Sequence, residues 1–351
     1  MQASIIILSS LAAAILSAWL TRLFCRPTAR FQVLDHPNER SLHSRPTPRT
    51  GGLAILTAVA VFAFPVVIYF GETGREAAWL GGGVLLVAGV SFLDDRYALS
   101  PALRIVLHVI AAVILAYGGF MLGPPGLPGI ALAVPVPVMI GVSLIYIVWM
   151  TNLYNFMDGM DGFAGGMAIF GFGAFAVLGW GAGHWPFMSL NLIVASAAAG
   201  FILFNFPPAR IFMGDVGSST LGLLAAAFSL WGANDGVFSF WVTLLVFSPF
   251  IVDATVTLLR RLLRREKIWQ AHKTHFYQQL VQAGWGHRKT VLWEYVLMAA
   301  CAGSAIWVAR QTETVQWWTI GFWTMVYVLL IAMVRRLEAG NLRTRKEDRR
   351  A

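Results

Sequence analysis

The 351-residue chain is 58% hydrophobic and only 12% charged, with a formal net charge of +9. Soluble globular chains carry roughly 25% charged residues, so this composition excludes a soluble enzyme and leaves almost none of the chain for a separate soluble domain. It indicates an all-α, polytopic helical membrane protein, whose basic excess reads as membrane topology and anionic headgroup attraction rather than nucleic-acid binding.

In chain order, apolar segments long enough to cross about 30 Å of hydrocarbon predict eleven spans, near 3–23, 51–71, 77–93, 101–119, 130–150, 161–182, 186–206, 216–233, 237–259, 290–309 and 315–334. Gly181, Gly183, His184 and Pro186 separate the sixth from the seventh. The first span reads as retained rather than as a cleaved signal peptide, because no basic residue precedes it and Arg22, Arg26 and Arg30 follow. Residues 1–335 are expected to form one integral membrane domain, and 336–351 a basic cytoplasmic tail.

Eleven crossings divide the connecting loops into two sets. Of the 26 Lys and Arg, all but Arg75 and Arg310 fall in the set containing 22–50, 94–104, 207–215, 260–289 and the tail. By the positive-inside rule that set is cytoplasmic, with the amino terminus outside and the carboxyl terminus inside. Cys25 and Cys301 lie too far apart in this topology to pair.

The acidic residues collect on the same side. Asp94 and Asp95 end the third span, Asp158 and Asp161 follow the fifth in NLYNFMDGMDGFAGG, and Asp215 follows the seventh in FNFPPARIFMGDVGSS. Each motif is two crossings from the next, so all five carboxylates reach one face. An Asp at a helix start is ordinarily a cap, but five gathered at one membrane face indicate a shared site. All-oxygen ligands suit a hard divalent cation, Mg²⁺ or alternatively Mn²⁺, better than zinc. Mg²⁺ on one or two carboxylates completes its shell with water and substrate phosphates, so a phosphorylated substrate is expected.

Basic loops fit that expectation. In SLHSRPTPRTGG, prolines stiffen a loop that carries Arg45 and Arg49. In HKTHFYQQL, His272 and His275 lie three apart with Lys273 between them, a set suited to cradling a pyrophosphate. Asp253 lies within the ninth span and is expected to be the buried partner of a nearby group.

NFMDGMDG, FNFPPARIFMGDVGSSTLG, the Asp94–Asp95 pair and HKTHFYQQL together resemble the polyprenyl-phosphate N-acetylhexosamine-1-phosphate transferases. That family includes the enzyme making the first lipid intermediate of peptidoglycan, initiators of O-antigen and teichoic acid, and the dolichol enzyme of N-glycosylation. The resemblance runs from about residue 35 to 290, with every motif in order. It implies Asp215 as principal Mg²⁺ ligand, with Asn155 near the metal and the pyrophosphate. It implies Asp94 and Asp95 against the lipid phosphate and the metal, and Asp158 at the pyrophosphate end. Gly159 and Asp161 would meet the uridine, and His272, Lys273 and His275 would form the phosphate loop. Where the peptidoglycan branch has consecutive histidines, this chain has a spaced pair. That departure favours an O-antigen or capsule initiator over a muropeptide enzyme.

The implied reaction transfers a sugar-1-phosphate from a UDP-N-acetylhexosamine, carrying N-acetylglucosamine or a 6-deoxy amino sugar, to undecaprenyl phosphate in a bacterial inner membrane. Helix faces leave room for a homodimer without requiring one. Two rival readings are a cation-coupled transporter, which would hold acids near the midplane on broken helices, and an intramembrane aspartic protease. For the protease, Phe212-Met213-Gly214-Asp215 lacks the first glycine of a Gly-x-Gly-Asp context.

Overall fold

A computed structural model describes residues 2–28, 33–37, 45–71, 75–123, 126–131, 133–267 and 272–348. Its helices are α1 (Gln2–Phe24), α2 (Gly51–Tyr69), α3 (Arg75–Tyr97), α4 (Pro101–Tyr117), α5 (Val136–Phe156), α6 (Phe163–Gly181), α7 (Trp185–Asn205), α8 (Gly214–Asn234), α9 (Phe240–Val246), α10 (Ser248–Leu263), α11 (Phe276–Leu280), α12 (Gly286–Val308) and α13 (Glu313–Asp348). The strands are two-residue ladders, β1 (Leu34–Asp35) against β2 (Thr47–Pro48) and β3 (Gly126–Leu127) against β4 (Ile130–Ala131), both antiparallel. The chain is an all-α polytopic membrane protein. Among the described residues nine helices are long and apolar enough to cross a bilayer, and the bent pair α9–α10 makes a tenth. The 17-residue α4 stands where the fourth span is expected, so each expected crossing has a helix.

Helix α8 forms the centre: 89% of its most apolar window is buried, against 22% for α1 and α3 at the lipid-facing periphery. Small residues allow this packing. A side chain at Gly52 would collide with the backbone of Gly217, and one at Gly222 with the backbone of α5, so α2, α5 and α8 approach more closely than larger residues permit. Turn residues set the ends. Ser100 caps α4, accepting a hydrogen bond from Leu103 N at 3.3 Å, with Pro101 next. Gly162 and Gly214, with φ of +76° and +74°, turn the chain into α6 and α8.

Three expected boundaries shift for identifiable reasons. The fifth span begins at Val136, because the β3–β4 hairpin and Pro135 occupy its expected start; Asn155 therefore falls in the last turn of α5. The ninth is not one straight crossing but two helices bent by 82°. Pro249 cannot continue an incoming helix, since it lacks the amide and crowds the preceding turn. The tenth span is preceded by α11 and a π turn, Val281–Trp285, that contains Gly284 at φ +93°. At the far end α13 runs unbroken past residue 335, where the basic tail begins.

Candidate active site

The segment Thr47–Gly52 is stitched to the start of α8. Phe212 N donates to Pro48 O at 2.7 Å, Gly51 N to Phe212 O at 3.0 Å, and Gly52 N to Met213 O at 2.7 Å. This sets Arg49 against the end of α3: its Nε lies 3.4 Å from Asp95 Oδ1, and its Nη2 donates to the Asp95 carbonyl. Asp95 also accepts from Asp215 N at 3.4 Å and Val216 N at 3.3 Å. Asp95 thus caps the first turn of α8 from the side and fixes where Asp215 points.

Asp94 faces the other way. Its Oδ1 accepts from Leu99 N at 2.7 Å, and its Oδ2 from Arg104 Nη1 at 2.7 Å. The same Arg104 nitrogen lies 3.3 Å from Asp215 Oδ2, so one cationic centre reaches carboxylates from α3 and α8. Asn155 Nδ2 donates to Ser219 Oγ at 3.0 Å and ties α5 to α8 one turn beyond Asp215.

Asp253 is the expected buried partner, and it organises the histidine loop. Its Oδ1 takes His275 Nδ1 at 3.0 Å, Phe276 N at 3.0 Å and Thr257 Oγ1 at 3.1 Å, and its Oδ2 takes Tyr277 N at 3.1 Å. Holding Nδ1 leaves Nε2 of His275 as the ring atom available to a ligand. The His272 ring lies 4.8 Å from that of His275, and its Nδ1 is 2.9 Å from Thr274 Oγ1. Partial burial, then His275 and Arg261, pull the His272 pKa down from 6.5 to about 4.

These groups meet in one cavity of about 350 Å³. Of the residues expected from sequence, Asp94, Asn155, Asp215, His272 and His275 line it. The others do not. Asp158 is not part of the lining, and its carboxyl is pushed well above the usual range by burial and then by the carboxylates of Asp215, Asp95 and Asp161. Both oxygens of Asp161 are engaged, Oδ2 with Ala209 N at 3.0 Å and Oδ1 beside His287 Nδ1 at 3.1 Å. A side chain at Gly159 would meet the hydroxyl of Tyr277; the close approach that this glycine permits is made by the protein itself. Lys273, Arg45 and Arg49 also lie outside the lining, Arg45 exposed and Arg49 bound to Asp95.

The cavity adds residues not expected from sequence: Arg104 and His108 from α4, Asn152 and Ser219, with Val90, Pro101, Ile105, Phe156 and Leu258 as its apolar part. The available signal was the spacing of Arg104 and His108, four apart in an otherwise apolar span, which puts both on one helix face.

The donor set fits a hard divalent cation. Asp94, Asp95 and Asp215 are drawn together around Arg49 and Arg104, whose guanidinium groups pair with them. Asp215 and Asp94 already share one cationic partner, with the Asn155 carboxamide alongside. Among the described residues no group of three or more His, Cys, Asp and Glu has metal-binding geometry. Mg²⁺ needs only one or two carboxylates when substrate phosphates complete its shell.

Comparison with known proteins gives consistent matches. Residues 77–233 match the model of glycosyl transferase family 4. The chain is 30% identical over 324 residues to the probable undecaprenyl-phosphate N-acetylglucosaminyl 1-phosphate transferase of Bacillus subtilis (strain 168), covering 90% of this chain and 86% of that protein. It is 29% identical over 347 residues to the decaprenyl-phosphate N-acetylglucosaminephosphotransferase of Mycobacterium tuberculosis, covering 88% and 84%. It is 26% identical over 281 residues to the phospho-N-acetylmuramoyl-pentapeptide-transferase of Enterococcus faecalis, covering 75% and 84%.

Proposed function

The chain belongs to glycosyl transferase family 4, the polyprenyl-phosphate hexosamine-1-phosphate transferases, and from that premise we propose a specific reaction. A sugar-1-phosphate moves from a UDP-N-acetylhexosamine to undecaprenyl phosphate, giving undecaprenyl-diphospho-sugar and UMP. The observation that carries this reading is the single cavity in which Asp94, Asp215, Asn155, Arg104, His272 and His275 converge beside an apolar wall. A phosphorylated lipid and a nucleotide pyrophosphate need that combination.

Asp215, with Asn155 and the nearby Asp94, would hold Mg²⁺, which neutralises charge on phosphoryl oxygens when bound. The rest is done by the chain's own groups. Arg104 anchors phosphate at the carboxylate end. His275, oriented by Asp253, and His272 meet the pyrophosphate from the α10–α11 loop. Catalysis is then positioning and charge stabilisation. A phosphate monoester loses its second proton near pH 6, so the acceptor is largely dianionic at neutral pH and attacks the phosphorus next to the sugar directly.

N-acetylglucosamine is the first candidate sugar, because the names of the relatives from Bacillus subtilis and Mycobacterium tuberculosis carry it. The spaced His272–His275 pair keeps O-antigen or capsule initiation ahead of a muropeptide substrate. The test is a panel: UDP-N-acetylglucosamine, UDP-6-deoxy amino sugars and UDP-N-acetylmuramoyl-pentapeptide, each with undecaprenyl phosphate. We expect UMP release with the first or second group. UMP release with the pentapeptide alone would overturn the branch assignment.

The site is proposed to face the cytoplasm of the inner membrane. In a background lacking Cys25 and Cys301, Gly236→Cys and Gln311→Cys should react with an impermeant thiol reagent applied to intact cells whose outer membrane is permeabilised. Arg264→Cys should react only after the inner membrane is opened. The reverse pattern contradicts the orientation.

A further inference from the structure

Outside the cavity, three arginines from two helices converge beside α11. Arg260 and Arg264 lie one turn apart at the end of α10 and share a face; Arg335 lies on α13. The Arg260 guanidinium carbon stands 5.5 Å from the centroid of the Phe276 ring, the first residue of α11. Its strongest charged neighbours are Arg335 and then Arg264, both repulsive, with Glu338 and Asp253 as weaker opposing charges. Asp253 is engaged by the histidine loop. Glu266, within reach of Arg264, is held by Arg261 Nε at 2.9 Å. Among the described residues no carboxylate forms an ion pair with Arg260, Arg264 or Arg335. Like charges held together without a counter-ion repel, so an anion is the complementary occupant.

Depth says which anion. Apolar side chains beside the cluster face outward: Leu259 and Leu263 on α10 are 53% and 85% exposed, and Met333 on α13 is 43% exposed. In a membrane protein such side chains meet lipid. Val256 lies one turn before Arg260, and Ile331 one turn before Arg335. Both α10 and α13 run toward their basic ends, so these residues are deeper in the bilayer than the arginines. Both pack on the buried group Phe276, Leu280 and Val334. An apolar surface therefore reaches from α10 to α13 under three cations, at the level where hydrocarbon gives way to headgroups. A phospholipid covers both parts, whereas a soluble phosphate leaves the apolar part bare.

We propose that Arg260, Arg264 and Arg335 bind the headgroup phosphodiester of an anionic phospholipid, in the leaflet on the histidine-loop side, with acyl chains over Val256 and Ile331. None of the three arginines lines the catalytic cavity. A zwitterionic lipid brings its own cation to the cluster and is disfavoured. Bound lipid also steadies α11. Arg260 lies over Phe276, whose amide donates to Asp253 at 3.0 Å, and the same carboxylate holds His275. The binding stands apart from the transferase reading; its consequence for turnover rests on that reading.

The test compares phosphatidylglycerol with phosphatidylcholine of the same chains, by native mass spectrometry of the full chain in detergent. Wild type should retain phosphatidylglycerol preferentially, and Arg264→Gln/Arg335→Gln should weaken that retention about tenfold or more, from roughly 1 kcal/mol per cation at an anionic membrane surface. Both side chains are exposed. Should the pair misfold, Arg335→Gln alone takes its place. Arg22→Gln/Arg26→Gln removes the same charge from exposed positions at the end of α1 and should leave retention unchanged. Inorganic phosphate should not displace the lipid. Equal loss in the two double variants, or equal retention of the two lipids, would overturn the site in favour of general headgroup attraction. Displacement by inorganic phosphate would overturn the lipid as occupant.

Turnover in nanodiscs carries the second arm. Adding phosphatidylglycerol to phosphatidylcholine should raise wild-type turnover about fivefold, the low end of ordinary coupling between sites, and should do little for Arg264→Gln/Arg335→Gln. Arginine-dependent binding without any such rise would overturn the steadying of α11. Arginine-dependent binding with no transfer from any UDP-sugar in either lipid would overturn the reaction and leave the lipid site standing.

Discussion

Asp215→Asn is expected to lower turnover by at least about 10²-fold, since changes merely outside the ligand shell of a metal site already cost 10- to 100-fold. The fold should survive. Asp215 sits with Asp94, Asp95 and Asp158, and among the described residues Arg49 and Arg104 pair with this cluster. Removing one negative charge relieves repulsion, and an asparagine oxygen still reaches Arg104. The melting temperature without Mg²⁺ should therefore stay level or rise, and stabilisation by added Mg²⁺ should largely vanish. Turnover near wild type at ordinary Mg²⁺ would mean the metal is held elsewhere.

Asp253→Ala should act through stability as well as activity. It removes the acceptor for His275 Nδ1, the Phe276 and Tyr277 amides and the Thr257 hydroxyl at one step. Breaking a buried charged network by deleting one partner costs about 3–5 kcal/mol. The loss should appear as a lowered melting temperature in detergent together with loss of most turnover, because the His272–His275 loop is no longer held at the cavity. Asp253→Asn retains one acceptor oxygen and should fall between the two. A melting temperature equal to wild type in Asp253→Ala would show that the loop is held by something else.

Much of this architecture was legible in the sequence because a bilayer imposes simple rules. Hydropathy placed a helix at every expected crossing, and even spacing of crossings put Asp94, Asn155, Asp215, His272 and His275 on one side, where they share a cavity. What motifs did not reveal is which atoms are spent inside the protein. Asp95 reads like Asp94, yet its oxygens go to the backbone of α8. Asp161 reads as a ligand-facing carboxylate, yet it pins the segment before α6 to Ala209. Such choices depend on tertiary contacts between residues some fifty to a hundred and twenty positions apart, and no local pattern encodes them. Arg104 and His108 are illegible for the opposite reason: a lone cation and a lone imidazole in an apolar span form no motif, and the packing of α4 against α3 and α5 is what brings them to one cavity. The bend at Pro249 was readable from proline chemistry, but its consequence was not. The turn frees α10 to carry Asp253 to the histidine loop.

On the proposed reaction, the bond broken should lie between the two phosphorus centres, on the nucleotide side of the sugar phosphate. Cationic and metal-binding groups gathered at a pyrophosphate stabilise charge on phosphoryl oxygens; they offer little to an oxocarbenium-like sugar, and no carboxylate pair in the cavity stands free for that role. The decisive measurement labels the phosphate adjacent to the sugar in UDP-N-acetylglucosamine, or in the best donor of the panel, and follows it through one turnover with undecaprenyl phosphate and Mg²⁺. The label should appear in the lipid product, with unlabelled UMP released only when both lipid and Mg²⁺ are present. Labelled UDP with an unlabelled lipid product would contradict it.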